Sequence, residues 1–382
     1  MSESGARLLF YNYIDSDILA NSDVSSEQAS FPIENAYSKT RRSKVWRSGG
    51  YFKVESTNNT IIFRETALTD LTATITVGEY TSISSMCTAI KTALEAVGDS
   101  TYTVTNSNST GYKFNIVSNG VGGGGVFHLM LASVSFTAED LLGFSNASSL
   151  TDSSLTRTGD FLTINSEEFI LWDMGLSTNP KCFALIGPRN TPLKLSPSCT
   201  LTLQASHNDA WDMPSFEQVL TYNDRNIFYL DEAGIGDDSY RYWRLKIEDQ
   251  SPFGFVEVGS FFLGNYFNPI RGRVQFPLQV SLLDPSETMY SEGGQTFSDI
   301  KETTSTYKLT WFALQKADIE EFEDWYQDYG RNKPFFIALD STEIFSTSAN
   351  RRVLFCKIID DPDWSLIAPD VYDLTMFVRE EL

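Results

Sequence analysis

The sequence predicts a mainly β protein in which an antiparallel β-sandwich is interrupted by a small α+β insert and followed by a β-rich α+β domain. Three observations support this fold class. Short, aromatic-rich apolar runs broken by Gly, Pro, Asn and Asp recur on both sides of residues 59–152. The intervening segment is rich in Thr, Ser, Gly and Asn and contains neither Trp nor Pro. From about residue 271 the pattern changes to alternating strands and one amphipathic helix.

Length and composition agree with several folded units. A chain of 382 residues corresponds to two or three domains at about 150 residues each. A hydrophobic content of 41% and an aromatic content of 13% supply enough apolar surface for ordinary cores. We therefore predict a discontinuous sandwich from residues 1–58 and 153–270, an inserted module over 59–152 and a C-terminal domain over 271–382.

The insert is predicted to begin with a strand and a helix. Leu71–Val77 alternates in hydrophobicity, as a half-buried strand does. Ser82 is placed to cap a helix whose apolar residues recur at three- and four-residue intervals, and Gly98 follows where a C-terminal cap with positive φ is expected. Two further strands, Tyr102–Thr105 and Tyr112–Val117, complete the unit.

The other strands flank the insert and fill the C-terminal region. The predicted sandwich strands are Phe169–Trp172, Lys181–Ile186, Thr200–Ala205, Arg241–Ile247 and Val256–Leu263. The predicted C-terminal strands are Val274–Leu282, Thr306–Phe312, Phe335–Leu339, Arg352–Ile359 and Tyr372–Phe377. A helix over Lys316–Tyr329 is indicated by an apolar stripe, acidic residues in its first turn and Gly330 after its end.

Charge and composition exclude several functional classes. The net charge of −21 repels phosphate backbones, so we expect no nucleic-acid partner. The first residues lack the long apolar core of a secretion signal, and even Gly254–Phe267 contains Glu257 and Asn265, so we expect no membrane span. Four dispersed cysteines and two histidines favour reduced, mostly buried thiols over a zinc site or a disulfide framework.

No motif predicts an enzyme. The glycine run Gly122–Gly125 lacks the Lys-Ser/Thr ending of a phosphate-binding loop, so a hairpin or flexible loop is expected there. His128 and His207 lie in neither a nucleophile-elbow nor a cysteine-protease context. We expect no catalytic residue of these types.

Two acidic clusters leave alternatives open. Residues 360–363 and 231–238 have the composition of solvated turns at strand ends. A glycosidase would need two suitably separated acids, and Asp361 and Asp363 are the candidates. The second cluster could bind Ca²⁺ through carboxylate and carbonyl oxygens, although it lacks the spacing of an EF-hand. We expect no cofactor and no resident metal, with Ca²⁺ as the alternative.

Two groups of residues are candidates for contacts with other molecules. Four basic residues between positions 41 and 47 surround Trp46, and in so acidic a chain they favour pairing with an acidic face of a neighbouring subunit. Trp211 lies in a turn and is the Trp expected to be most exposed. The predicted partner or glycan contacts are Arg41, Arg42, Asn208 and Trp211.

Several segments, taken in order, resemble the discoidin (coagulation factor 5/8 C-type) jelly roll. They are Ser30–Tyr37 with its Pro-x-x-Asn-Ala pattern, Trp46–Ser48, Phe169–Leu176 with its Asp-x-Gly ending, Leu201–Trp211 and Arg241–Leu245. The resemblance implies a scaffold that meets ligands through variable loops at one end. Trp46 and Trp243 are expected to be buried, Asn35 and Asp173 to satisfy loop backbone groups, and Gly175 to permit a tight turn.

The whole combination resembles tail-tip proteins of long-tailed bacteriophages. The insert is similar to small modules of phage tail and adhesin proteins. The segments that carry this resemblance are its opening strand, its helix and Leu142–Phe144. Lys333–Asp340 and Tyr372–Glu380 resemble the closing sheet of tail-hub and distal-tail components. The resemblance implies a non-enzymatic structural subunit that forms a three-fold or six-fold ring with copies of itself.

The same resemblance implies further partners and a location. The partners are tube, hub, tape-measure and fibre proteins, and the location is the tail tip of a virion assembled in the bacterial host cytoplasm. The C-terminal domain is expected to dock and the jelly roll to face outward. A receptor-binding adhesin that holds host cell-surface glycan through the jelly roll or the insert is the alternative. A carbohydrate-cleaving enzyme is a third hypothesis, for which we expect no turnover.

Overall fold

The computed structural model describes residues 7–14, 16–37, 44–65, 69–106, 113–120, 126–144, 149, 154–160, 167–187, 192–224, 226–230, 235, 238–249, 255–267, 269, 274, 279–292, 295–338 and 353–381. The strands before the insert are β1 (Arg7–Asn12), β2 (Ser22–Val24) and β3 (Trp46–Arg47), with short 3₁₀ helices over Ser16–Asn21 and Ile33–Tyr37. The following segment holds β4 (Phe52–Val54), β5 (Thr60–Arg64), β6 (Leu71–Thr74), β7 (Gly78–Tyr80), α1 (Ile83–Glu95), β8 (Tyr102–Thr105), β9 (Asn115–Ser118), β10 (His128–Leu129), α2 (Glu139–Leu142) and β11 (Thr156–Thr158).

The remaining elements form the rest of the sandwich and the C-terminal region. The sandwich continues with β12 (Glu168–Thr178), β13 (Cys182–Ile186), β14 (Thr200–Ser206), β15 (Phe216–Leu220), β16 (Asn226–Leu230), β17 (Tyr240–Glu248), β18 (Glu257–Val258) and β19 (Ser260–Tyr266). The C-terminal region holds β20 (Gln279–Leu283), β21 (Glu287–Tyr290), β22 (Thr296–Asp299), β23 (Thr304–Gln315), α3 (Lys316–Tyr329), β24 (Phe335–Ala338), β25 (Val353–Ile358), β26 (Asp363–Ala368) and β27 (Val371–Glu380).

The predicted fold class is confirmed. A five-stranded antiparallel sheet in the order β15-β14-β17-β12-β2 packs against the β16-β13-β19 end of a ten-stranded sheet. Their facing sides bury Trp172 and Trp243 from the first sheet and Phe183 and Phe261 from the second. This arrangement is the predicted β-sandwich, and a separate α+β core lies between its two halves in the sequence.

The positions expected to be structural in the jelly roll have those roles. Trp46 and Trp243 are fully buried. The side-chain amide of Asn35 donates to the carbonyl of Val45 at 3.0 Å, and Asp173 Oδ1 accepts from the backbone N–H of Gly175 at 2.8 Å. Gly175 has a φ of +69°, a left-handed conformation that glycine adopts without steric cost.

One sheet runs through residues of the predicted sandwich and of the predicted C-terminal domain. β1 pairs with β19 on one side and with β24 on the other. Beyond β24 the sheet continues through β25, β27, β23 and β20. Phe10 of β1 stacks on Trp325 of α3 with ring centroids 4.5 Å apart. The domain boundaries therefore stay a prediction, while the described contacts join the two regions through β1.

Both predicted long helices are present, with one correction at the end of α1. Helix α1 is capped by the Ser82 hydroxyl, which accepts from the Ser85 N–H at 3.1 Å. The prediction of positive φ at Gly98 was wrong, because Gly98 does not have the left-handed backbone conformation. A Cβ there would lie 2.5 Å from Glu65 Oε1, so the glycine makes room for a carboxylate that accepts the N–H groups of Asp99 and Ser100.

Helix α3 has the predicted bounds, Lys316–Tyr329. Gln315 and Asp318 form a capping box, in which the Gln315 N–H donates to Asp318 Oδ2 at 2.8 Å. The helix buries Ile319, Phe322 and Trp325 against the ten-stranded sheet. Among the described residues, no helix has both the length and the apolar character needed to cross a membrane. Three of the four thiols, those of Cys182, Cys199 and Cys356, are buried.

A buried carboxyl group at the start of β12 connects that strand with the segment after β2 and, through Ser26, with the segment after β3. The hydroxyls of Ser25 and Ser26 donate to Glu168, and Ser26 lies 2.8 Å from Oε1. The Ser26 hydroxyl also accepts the N–H of Gly50 at 3.1 Å. Burial raises the pKa of Glu168 to about 8, and the serine hydrogen bonds offset only part of this effect.

We expect stability to fall as pH rises through this range. The folded chain retains a proton on Glu168 between its ordinary pKa of 4.5 and its raised pKa of about 8. The stabilisation is complete below pH 4.5 and is lost progressively up to pH 8, with a total on the order of a few kcal/mol. Glu168→Gln is neutral at every pH and removes this slope, measured by urea unfolding at several pH values. Glu167→Gln is the control and retains it; an unchanged slope in Glu168→Gln would contradict the assignment.

Candidate functional site on the outer face of the sandwich

A row of polar side chains crosses the outer face of the five-stranded sheet. Arg244 of β17 lies opposite Gln204 of β14, which lies opposite Glu217 of β15. Arg244 Nε and Nη2 donate to Gln204 Oε1 at 2.8 and 2.6 Å. Gln204 Nε2 in turn donates to Glu217 Oε2 at 2.6 Å. The amide thus connects a cation to a carboxylate that lies one strand farther away.

Aromatic rings enclose the Arg244 guanidinium. Its central carbon lies 4.5 Å from the ring centroid of Trp211 and 5.5 Å from that of Phe169. Arg244 is buried, and this burial lowers the pKa of its guanidinium while Glu167 and other nearby anionic groups oppose the shift. Trp211 Nε1 donates to Asp209 Oδ1 at 2.6 Å, which fixes the indole in its turn. The arrangement holds a charged group under a ring through cation–π attraction.

Two of the four predicted contact residues lie in this turn. Trp211 is half-buried over Arg244, whereas Asn208 is exposed and its Oδ1 accepts from the Ser206 hydroxyl at 3.1 Å. Their role as contacts for a partner or a glycan stays a prediction. The row beneath Trp211 was not predicted, because its members are far apart in sequence. Its only sequence signal is a polar residue at alternate positions of β14 and β17.

The predicted basic cluster is described only partially. Arg41 and Arg42 lie outside the described residues. Arg47 pairs with the nearly buried Glu257, and its guanidinium carbon lies 3.6 Å from the ring centroid of Phe31. Arg47 therefore holds segments of this chain together, and the contacts of Arg41 and Arg42 with another subunit stay a prediction.

The candidates for enzymatic or metal chemistry are scattered. Asp361 is exposed and accepts from the Tyr326 hydroxyl at 3.1 Å, and Asp363 is an exposed residue at the start of β26. His207 packs 4.9 Å from the ring of Tyr240. Most of the proposed Ca²⁺ cluster at 231–238 and the whole run Gly122–Gly125 lie outside the described residues. In the portion of the chain that the structure describes, no group of acidic, His or Cys residues is arranged to hold a metal ion.

A second candidate surface projects from the ten-stranded sheet. We define the arm as the described residues 279–292 and 295–303, which include β20 and the β21–β22 hairpin. Leu282, Tyr290 and Ile300 are 71%, 76% and 85% exposed. Thr304 and Ser305, where β23 enters the body, are 4% and 5% exposed. Most side chains on both faces of the arm are therefore open to solvent.

The arm is acidic, but its first strand carries no charge. Glu287 and Asp299 lie opposite each other in the hairpin and share Lys301, at 3.1 and 3.5 Å from its Nζ. The sequence of β20 is Gln-Val-Ser-Leu-Leu. The alternating pattern predicts a strand over Val274–Leu282 but does not indicate that it is exposed. Of this range, Val274 is buried and forms an isolated bridge with Trp311, and residues 275–278 lie outside the described residues.

Comparisons with known proteins find similar solved structures, but no matching family and no matching curated sequence. No protein-family model matches the chain, and no curated protein matches it. The chain is similar to a fucose-binding module of Streptococcus pneumoniae, at 11% identity and a TM-score of 0.20, covering 26% of this chain and 66% of that chain. A family 32 carbohydrate-binding module of Clostridium perfringens NanJ in complex with galactose gives the same identity, TM-score and coverage.

A third similar structure is described as a glycoside hydrolase. The identity is 15% and the TM-score 0.19, covering 29% of this chain and 26% of that chain. The described sheets by themselves form the predicted β-sandwich. TM-scores of this size carry no information on what the chain binds. None of the three named structures is a phage tail protein.

We expect Trp211 to stabilise the fold through Arg244. Trp211→Ala exposes the guanidinium and removes the cation–π contact, which costs roughly 1–2 kcal/mol of unfolding free energy. Met213→Ala, in the same turn and 89% exposed, is the control and changes stability by less than about 0.5 kcal/mol. Urea unfolding at pH 7 measures both. Equal effects of the two substitutions would show that the ring does not cover Arg244 in solution.

Proposed function

We propose that this chain is a non-enzymatic structural subunit of a phage tail tip, which binds copies of itself and neighbouring tail proteins. The observation that carries a structural role is the arm, with large apolar side chains exposed on a projecting two-stranded ribbon. The assignment to a phage tail tip, and to a virion assembled in the host cytoplasm, rests on the resemblance of the sequence to tail-tip proteins.

The arm needs a partner for a physical reason. A two-stranded hairpin in water is only marginally stable, because it lacks a covered apolar face. Met289 and Tyr290 are 58% and 76% exposed, and neighbouring residues of the arm expose further apolar surface. Exposed apolar patches, unlike single exposed apolar residues, mark interaction sites in soluble proteins. A projecting ribbon offers area to another protein, whereas small ligands are held in concave pockets.

Ring formation belongs to this proposal. A ring of three-fold or six-fold symmetry requires a heterologous interface, in which different surfaces of neighbouring copies meet. A projecting arm and the body of the next copy are two such surfaces. Tube, hub, tape-measure and fibre proteins are the proposed partners above and below the ring.

The arm's role is tested by incorporation into particles. In the phage that encodes this chain, the double substitution Leu282→Ser and Ile300→Ser removes apolar surface that is 71% and 85% exposed. We expect at least a tenfold loss of the chain from purified particles by immunoblot, with an unchanged melting temperature of the purified protein. Both side chains lie outside the cores, so the fold does not depend on them.

The matched control carries equally exposed apolar residues away from the arm. Val134→Ser with Leu176→Ser alters residues that are 99% and 78% exposed in the insert and the sandwich. Incorporation of this variant is expected to equal that of the wild type. Electron microscopy of particles labelled through this chain is expected to mark the tail tip. Full incorporation of the arm variant, or particles without label, would contradict the proposal.

A receptor-binding adhesin is the second candidate, and the turn after β14 favours it. The half-exposed indole of Trp211 lies beside exposed Asn208 and Asp209. An aromatic face next to amide and carboxylate groups is a pattern that binds sugars by stacking and hydrogen bonds.

A glycan array separates the two candidates. Asn208→Ala removes one exposed amide and leaves the Arg244 row intact, so it tests binding without altering stability. Saturable glycan binding by the wild type that is lost in Asn208→Ala and kept in Met213→Ala would favour the adhesin. Under the structural proposal we expect no saturable binding by any of the three proteins.

A further inference from the structure

We propose that two copies of this chain pair their β20 strands antiparallel, with Ser281 of each copy at the twofold axis. The proposal rests on the structural role proposed above and names the partner of one segment of the arm. It follows from three features of Gln279–Leu283: an edge and an apolar face that no described residue covers, and a self-complementary sequence.

The first feature is the free edge. Within the described residues β20 pairs only with β23 and ends the ten-stranded sheet. The outward N–H and C=O groups of an edge strand are a template for another strand. Natural edges are protected by Lys, Pro, bulges or a covering element. β20 contains no charged residue and no Pro, and its register with β23 is regular from Gln279↔Lys308 to Leu283↔Thr304.

The second feature is the uncovered face. Val280 lies opposite Tyr307, and Leu282 lies opposite Ser305. Tyr307 and Ser305 are 2% and 5% exposed, so this is the side of β23 that the body covers. Val280 and Leu282 continue the same side of the sheet, yet they are 46% and 71% exposed. The apolar face thus extends past the surface that the described residues cover.

The third feature is self-complementarity. When two β20 strands pair about Ser281, Val280 lies opposite the partner's Leu282, and Leu282 lies opposite the partner's Val280. Directly opposed residues of an antiparallel pair project from the same face and contact each other. The four apolar side chains then form one patch, on the same side of the sheet as the buried Tyr307 and Ser305. A register centred on Leu282 would instead place Val280 opposite the partner's Asp284.

Charge favours a second copy at this strand over other areas of the same surface. Two chains of net charge −21 repel each other, so a contact between copies is most favourable where charges are absent. β20 is uncharged, whereas the adjoining hairpin carries Glu287 and Asp299. A twofold contact is closed by itself. The pairing of two β20 strands therefore leaves other surfaces free for the heterologous contacts of a ring. The two chains that it joins would belong either to two rings or to neighbouring subunits.

Disulfide trapping of the full chain tests the register. Ser281→Cys places two thiols opposite each other across the axis, within the Cα separation of roughly 4.4–6.8 Å that a disulfide spans. In Gln279→Cys, the two thiols are four residues apart along the paired strands, about 13 Å. We expect most Ser281→Cys protein to form a covalent dimer under mild oxidation, and Gln279→Cys and the wild type to stay uncrosslinked.

A charge substitution tests the pairing without a covalent bond. Ser281→Lys puts two cations at the axis, and we expect the dimer Kd from analytical ultracentrifugation to rise at least tenfold with an unchanged melting temperature. Ser365→Lys, at an exposed position of β26, is the control and leaves the Kd unchanged. Faster cross-linking of Gln279→Cys than of Ser281→Cys would overturn the register. An unchanged Kd in Ser281→Lys would overturn the pairing.

The outcomes also separate this inference from the proposed function. If Ser281→Cys stays monomeric while the Leu282–Ile300 double variant is lost from particles, the homotypic pairing is wrong and the structural role stands. If Ser281→Cys cross-links but the chain never enters particles, the pairing stands and the structural role in the virion is wrong.

Discussion

The insertion of β1 between two strands that are distant in sequence is the contact on which the rest of the structure depends. β1 pairs with β19 and with β24, and without it these two strands would each present an unpaired edge. Its side chains serve two cores. Leu8 and Phe10 pack on the side of helix α3, and Leu9 packs on the opposite side. A single strand therefore joins the sandwich and the C-terminal region into a continuous sheet.

This continuity determines how the arm is held. The arm leaves the body at β23, a strand of the same sheet, where Leu309 and Trp311 are buried in the core beneath α3. Because β23 pairs with β27 over most of its length, the base of the arm is fixed by ladder hydrogen bonds. An interaction at the arm is thereby placed at a defined position relative to the sandwich. A loop with the same apolar side chains would lack this rigid base.

The sequence predicted the elements that local signals determine. Helix α3 was predicted with its observed bounds because its acidic first turn, its apolar stripe and the glycine after its end all lie close together in the chain. Gly98 shows the limit of such signals. A glycine is needed there because a side chain would collide with Glu65, a residue distant in the chain. The pairing of β1 with β24 has no local signal at all. The same holds for the row Arg244–Gln204–Glu217, which exists only once three strands have taken their register.

The arm was missed for a related reason. Alternation around Val280 and Leu282 predicts one buried face, and the sequence does not show where the covering body ends. Trp211 was predicted to be partly exposed because it lies in a turn, and it is half-buried. Its position over Arg244 was not predicted, because it depends on the strand beneath the turn. Burial is a property of neighbours, so patterns within one segment predict which residues share a face but not whether that face is covered.

The buried polar side chains and the exposed apolar side chains of this protein differ in what they contact. The buried polar side chains connect segments of this chain: Glu168 with Ser25 and Ser26, and Arg244 with Gln204. Such networks make a fold specific once each member is satisfied. On the arm, by contrast, several large apolar side chains are open to solvent. Burying apolar area drives most association between proteins, so covering these side chains of the arm would be favourable.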